Sequence, residues 1–191
     1  MRVRDAAPAD AEAVATVARA SWHAAYDDLL GAETVAATVD RWYDPPSLRA
    51  EIAAADGAER TGDSATSANG PSFFLVAEGD GEVVGFTNAG PSGENAPADA
   101  FISRLYVHPD RWGAGVGSAL TGRVARRLRD AGYERVWLEV FAENDVGRGF
   151  YESRGFERVG SAAEQFGGAE RRTLHLATEL SALVKATPAV E

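Results

Sequence analysis

The sequence predicts an α/β domain: a mixed, mostly antiparallel sheet of about six to seven strands, with helices on both faces. Three observations point there. Bulky, strand-like stretches alternate with stretches of helical period along the chain. Gly79-Asp80-Gly81 is a hairpin signal between two strand-like runs, so at least those neighbours pair antiparallel. Between Ala100 and Leu128 a strand passes through a glycine-rich turn straight into an amphipathic helix.

Taken in order, Arg2 to Asp5 is a short first strand. Pro8 suits the first turn of a helix, where its missing N–H loses nothing. Val14, Val17, Ala18, Ser21, Trp22 and Ala25 fall at helical spacing, which predicts a helix from about Pro8 to Ala25. Gly31 breaks the pattern. Thr34 to Tyr43 and Ser47 to Ala55 read as two further helical pieces, separated by Pro45-Pro46. Residues 56–71 offer almost nothing to bury and read as a flexible surface insertion. Phe73 to Glu78 and Val83 to Ala89 form the hairpin, and Pro91 to Pro97 is a loop. Ala100 to Val107 carries bulky residues on both faces, which suits a central strand. Val116, Leu120, Val124 and Leu128 recur at every fourth position with Arg123, Arg126, Arg127 and Arg129 between them, giving a helix that ends near Gly132. Arg135 to Phe141 is a strand, and Asn144 to Arg154 is a helix stopped by Gly155. Glu157 to Ala162 and Arg171 to Thr178 close the sheet, and residues 181–191 read as a disordered tail after a single domain over residues 1–180.

The chain's 191 residues suffice for one such domain with its own core. There is no cysteine, which excludes disulfides, thiolate metal sites and a cysteine nucleophile. No apolar run is long enough to span a bilayer, and no signal-peptide stretch follows Met1, so a cytoplasmic protein with no membrane partner is the expectation. The formal net charge is −10, and Lys185 is the single lysine. Such acidity argues against nucleic-acid binding, which needs clustered positive charge. The charges are spread along the chain, which favours a halophile-like surface adapted to high salt over steering of a cationic substrate. His23, His108 and His175 stand apart from any ligand-spaced partner, so no metal is expected. No Gly-x-Ser-x-Gly is present to suggest a hydrolase nucleophile.

The informative stretch is Leu105-Tyr106-Val107-His108-Pro109-Asp110-Arg111-Trp112-Gly113-Ala114-Gly115-Val116-Gly117-Ser118. Glycines let main-chain N–H groups point into one space, and a helix N-terminus adds a partial positive charge of about half a unit. Together they suit phosphate oxygens without any lysine. A P-loop is excluded because no Gly-Lys-Ser/Thr ends the turn. A dinucleotide fold is disfavoured because the turn follows a hairpin late in the chain, not an opening βαβ unit.

These residues resemble the core motif of the GNAT N-acetyltransferase superfamily, Gln/Arg-x-x-Gly-x-Gly/Ala entered from a strand of the type Leu-Tyr-Val-x-Pro. Gly115 and Gly117 are its two glycines, and Trp112 stands where the family has Gln or Arg. Leu138-Glu139-Val140-Phe141-Ala142-Glu143-Asn144, followed by Phe150-Tyr151-Glu152-Ser153-Arg154-Gly155-Phe156, is similar to the family's second signature. The resemblance implies the GNAT fold, splayed where the cosubstrate enters. It further implies transfer of acetyl from acetyl-CoA to a primary amine, small molecule or peptide N-terminus, by direct attack through a tetrahedral intermediate. On that reading Leu105, Tyr106 and Val107 hold the pantetheine arm, and Gly113, Ala114, Gly115, Val116, Gly117 and Ser118 hold the pyrophosphate. Asn144 contacts the arm, Tyr151 protonates the leaving thiolate, and Glu139 takes the amine's proton. Trp22 and Tyr26 shape the acceptor site, and a homodimer is compatible.

Each role has a plainer counterpart. Tyr151 can be a packed aromatic, and Asn144 a helix N-cap. Glu139, sharing a strand face with Trp137 and Phe141, can be an exposed residue or an ion-pair partner. Trp22 and Tyr26 can be core. For the whole chain, the alternative to an enzyme is an acyl-CoA-binding sensor or interaction module without catalysis.

Overall fold

The computed structural model describes residues 1–55 and 70–186. The chain forms β1 (Arg2–Asp5), α1 (Ala11–Leu30), α2 (Ala32–Trp42), α3 (Pro45–Ala54), β2 (Phe73–Gly79), β3 (Glu82–Pro91), β4 (Ala100–Val107), α4 (Val116–Asp130), β5 (Arg135–Phe141), α5 (Asp145–Glu152), β6 (Glu157–Phe166), β7 (Ala169–Glu179) and α6 (Leu180–Ala186). One seven-stranded sheet runs in the order β1-β2-β3-β4-β5-β7-β6. All its pairs are antiparallel except β4 with β5. This is the mixed, mostly antiparallel sheet that the sequence pattern implies.

Each face has its own core. Val116, Leu120, Val124 and Leu128 of α4 lie against Phe73, Leu75 and Ala77 of β2 and Leu138 and Val140 of β5. On the other face Val14, Val17 and Trp22 of α1 pack with Val35 and Val39 of α2 and Phe74, Val76 and Phe86 of the hairpin. Alternation along β2 thus sends neighbouring residues to opposite cores, and both faces of its first five residues are buried.

Some boundaries differ from the sequence reading. Pro8 sits in a short 3₁₀ turn, Pro8–Asp10, ahead of α1; there the Asp10 carboxylate accepts from the Ala7 N–H at 2.7 Å. The two prolines expected to separate helices instead open α3. Asp44 caps it by accepting from the Ser47 N–H at 3.0 Å, and a first turn has no use for the N–H that proline lacks. The expected disordered tail is corrected for its first part. Leu180–Ala186 is helical, and Leu180 and Leu183 are buried beneath α4. Burial of these two leucines supplies what the tail's composition seemed to lack. The expected insertion, for residues 56–69, and the last five residues, 187–191, lie outside the described residues.

Candidate active site

The site begins where β4 and β5 part. Their parallel pairing is confined to Ala100 opposite Val136 and Phe101 opposite Trp137. Immediately afterwards β4 carries a bulge, because Asn88 lies opposite Arg104 while Ala89 lies opposite Ile102, which leaves Ser103 as the extra residue. A bulge bends its strand and increases the local twist, and here it turns β4 away from β5. The His108 N–H donates to Val84 O at 2.9 Å. By the alternation of an antiparallel ladder, Tyr106 and Arg104 also face β3, and Leu105 and Val107 turn their main-chain groups toward the gap that β5 has vacated. The result is a cleft of about 510 Å³ lined by β4, the glycine turn, β5, α5 and the end of α1.

At one end of the cleft stands the turn before α4. Gly113 has φ 75° and Gly115 φ 82°, in the left-handed region where an L side chain is strained. A Cβ at either would meet no atom within 4 Å, so the turn is open to the cleft. Among the described residues, the N–H groups of Gly113, Gly115, Val116, Gly117 and Ser118 take no hydrogen bond, and the first helical bond is Ala119 N–H to Gly115 O at 3.0 Å. These are the free donors of a helix N-terminus, available to the oxygens of an anionic group. Ala114 is a correction to the predicted set, because its N–H is committed to Arg111 O at 3.3 Å. Gly117 is glycine for a different reason: a Cβ there would come within 2.9 Å of the Phe150 ring of α5.

Two predicted residues sit elsewhere than expected. Trp22 does not line the cleft. It is buried, donates its indole N–H to the Tyr43 hydroxyl at 3.3 Å, and packs against Tyr26 and Tyr106 with ring centroids 4.9 and 6.2 Å away. The Tyr106 side chain belongs to the same aromatic group, where burial beside Tyr43 holds its phenol well above the ordinary range; its main chain pairs with β3, so it borders the cleft without a free main-chain group to offer. Trp112, in place of the family's polar residue, donates its indole N–H to Val107 O at 2.8 Å and so ties the turn to the end of β4.

The remaining predicted residues converge. Tyr26, Glu139, Asn144 and Tyr151 line the one cleft. Tyr151 is half-buried, its phenol is held well above the usual value by desolvation, and no hydrogen-bond partner for it exists among the described residues. Asn144 caps α5: its Oδ1 accepts from the Gly147 N–H and its Nδ2 donates to the Tyr26 hydroxyl, both at 2.8 Å. Glu139 lies opposite His175 in the β5–β7 register, with Oε1 3.2 Å from Nε2 but without hydrogen-bond alignment. Burial raises the Glu139 carboxyl above its ordinary range; His175 works against that rise and Glu164 adds to it.

Sequence reasoning missed three groups. His175 looked isolated because its partner lies on another strand, and only the register brings them together. Arg154 stacks on the Phe150 ring at 3.5 Å, donates to Phe150 O at 2.7 Å and also to the Ser118 hydroxyl, pinning α5 to the mouth of α4. Arg104 of β4 reaches Glu51 of α3 at 2.6 Å. The arginine before Gly155 was a legible signal, whereas the Arg104 pairing was not. Among the described residues no group of three or more His, Cys, Asp or Glu could hold a metal, and no helix is long and apolar enough to cross a membrane.

A sheet splayed beside a helix mouth of free amides defines a class of fold, and comparison gives the class its family. The model of the Acetyltransferase (GNAT) family matches residues 22–156, and the chain belongs to that family. A protein named as an acetyltransferase from Pectobacterium atrosepticum is 38% identical over 89 residues, which are 47% of this chain and 60% of that relative's length. The fold is shared with the PaiA N-acetyltransferase of Thermoplasma acidophilum in complex with coenzyme A, at TM-score 0.73 and 22% identity over 93% of this chain and 98% of that one. It is also shared with a ribosomal-protein-alanine N-acetyltransferase from Brucella melitensis, at TM-score 0.64 and 19% identity over 94% and 99%.

Proposed function

We propose that the cleft takes acetyl-CoA as acyl donor and passes its acetyl group to a primary amine, a small molecule or a peptide N-terminus. One observation carries the reading: two sets of unused main-chain donors open into the same cleft. The edge of β4 beyond Phe101 offers an extended arm a strand to pair with. The mouth of α4 offers a diphosphate its free amides. The PaiA protein of the same fold was crystallised with coenzyme A, which supports the reading.

On this reading Gly113, Gly115, Val116, Gly117 and Ser118 hold the pyrophosphate. The Val107 carbonyl, already engaged by Trp112, leaves the Val107 N–H and the Leu105 main chain for the arm. The cosubstrate supplies the thioester carbon and the departing sulfur. Glu139 removes a proton from the amine as its nitrogen bonds to the acyl carbon. Tyr151, which keeps its proton because burial disfavours the phenolate, gives it to the sulfur as the C–S bond breaks.

The test is a melting curve with and without acetyl-CoA, followed by thiol release with a panel of amines. Saturation at about a hundred times Kd gives about 2.7 kcal/mol, or about 5–10 °C for a chain of this size. Gly115→Val strains the left-handed turn and is expected to remove the shift. No shift in the wild type, or a full shift in a folded Gly115→Val, overturns the site. Binding without thiol release on any amine supports the sensor reading instead.

A further inference from the structure

We infer that Tyr26 is a second hydrogen-bond donor at the acyl position, facing Tyr151 across the cleft, and that Asn144 aims it. The inference rests on the acyl-transfer reading and assigns a residue that reading leaves without a chemical task. The direction of the Tyr26 proton follows from the cap of α5. A main-chain N–H can only donate, so the Asn144 atom that receives the Gly147 N–H at 2.8 Å is its oxygen. The amide's other end is therefore NH₂, which can only donate, and it stands 2.8 Å from the Tyr26 hydroxyl. The phenol oxygen is thus the acceptor in that bond, and its own O–H must point elsewhere.

The surroundings leave one direction. The Tyr26 ring is 7% exposed and is wedged between Trp22 and Phe141, at centroid distances of 4.9 and 5.4 Å. Trp22 spends its N–H on Tyr43 and offers Tyr26 no acceptor. No protein acceptor for the Tyr26 proton exists among the described residues, and the side on which Tyr26 meets Asn144 borders the cleft that Tyr151 also lines. Burial pushes the Tyr26 phenol up to about 12, so at neutral pH it holds its proton and serves as a donor, not as a base. As the amine's nitrogen bonds to the acyl carbon, the thioester oxygen gains negative charge. A preorganised donor aimed at such an oxygen is worth about 10²-fold to 10³-fold in rate.

Asn144 is a positioning residue here, and Asn144→Asp isolates that role. A carboxylate at this position still accepts from the Gly147 N–H, so the cap survives. Its second oxygen also accepts, so the Tyr26 O–H turns toward it and leaves the cleft. Steady-state kinetics of thiol release would compare wild type, Tyr26→Phe, Asn144→Asp and the double variant, with melting curves to confirm folding. Each single variant is expected to lose about 10²-fold to 10³-fold in kcat with the amine KM little changed, and the double variant to be no slower than the slower single. A raised amine KM at unchanged kcat in Tyr26→Phe overturns the inference, because Tyr26 then only binds the acceptor. So does multiplication of the two losses in the double variant, because Asn144 then acts independently of Tyr26. Turnover by the wild type with Tyr26→Phe equally fast sinks this inference alone. A wild type that releases no thiol, with amines or with water, sinks the acyl-transfer reading and this one with it.

Discussion

Glu139 is the residue whose chemistry depends most on its surroundings. Its neighbours Leu138 and Val140 are buried against α4, which leaves Glu139 on the opposite face with Trp137 and Phe141. Burial raises its carboxyl, His175 lowers it, and Glu164 raises it again. On the proposed mechanism Glu139 must be ionised to act as base, so its raised carboxyl moves the acid limb of kcat/KM upward in pH from where an ordinary carboxylate would put it. Glu139→Gln is expected to slow acetyl transfer by about 10²-fold to 10⁴-fold and to erase that limb. His175→Gln withdraws the one influence that favours the charged form, so the limb should move further up in pH. A pH–rate profile of the three proteins checks both, and an acid limb persisting unchanged in Glu139→Gln would remove Glu139 as the base. At this scale the sequence revealed residue types but not partners. Tyr151, Asn144 and Glu139 could be picked out because the motif places them. The hydrogen bond from Asn144 to Tyr26 and the approach of His175 to Glu139 join distant parts of the chain, and no local pattern records them. Trp22 takes the core role that stood beside its acceptor-site role: helical spacing put it on the inner face of α1, but the neighbours that fill that face, Tyr43 and Tyr106, come from elsewhere in the chain.

Among the elements, all seven strands and the five helices α1 to α5 announced themselves through period and turn chemistry, since those signals lie within a few residues. Ends were less legible, because they depend on caps such as Asp44 and on partners across the fold. The splay between β4 and β5 could not be read from local pattern at all. It depends on the bulge at Ser103 and on a pairing that stops after Phe101. α6 is the instructive omission, because Leu180, Leu183 and Val184 already sit at the spacing of one helical face, yet seven residues give a weak periodic signal. The structure makes that helix part of the α4 core: the Leu180 N–H donates to Glu134 O at 2.9 Å and Leu183 is 0% exposed. Leu183→Ala should therefore destabilise the domain by about 2–5 kcal/mol, whereas Ser181→Ala, on the exposed face, should change stability by less than about 0.5 kcal/mol. Urea or thermal unfolding of the two variants decides it, and equal stability would mean that α6 contributes nothing to the core.

For the whole molecule the question is what a net charge of −10 does. The cleft does not present a field of one sign: Glu139, Glu143 and Asp145 line it together with Arg104, Arg111 and Arg154. Steering of a cationic amine would need the carboxylates to dominate there. Among the described residues several arginines are already paired at the surface, as in Arg111 with Asp80 at 2.7 Å and Arg135 with Glu179 at 3.0 Å, and such exposed pairs contribute only about 0.2–1 kcal/mol each. With 29 carboxylates against 19 basic residues, the surplus repels itself across the surface. Salt screens these longer-range repulsions first, since the screening length falls from about 10 Å at 0.1 M to about 3 Å at 1 M, while pairs in contact are weakened less. We therefore read the acidity as an adaptation to high salt, and the reading makes two linked predictions. The melting temperature should rise as potassium chloride goes from about 0.1 M to about 1 M. Over the same range kcat/KM for the acceptor amine should not fall. A melting temperature that drops with salt would mean that the ion pairs outweigh the repulsion. A steep fall in kcat/KM at constant stability would instead mean that the carboxylates draw a cationic acceptor to the cleft, and the acidity would then belong to the reaction.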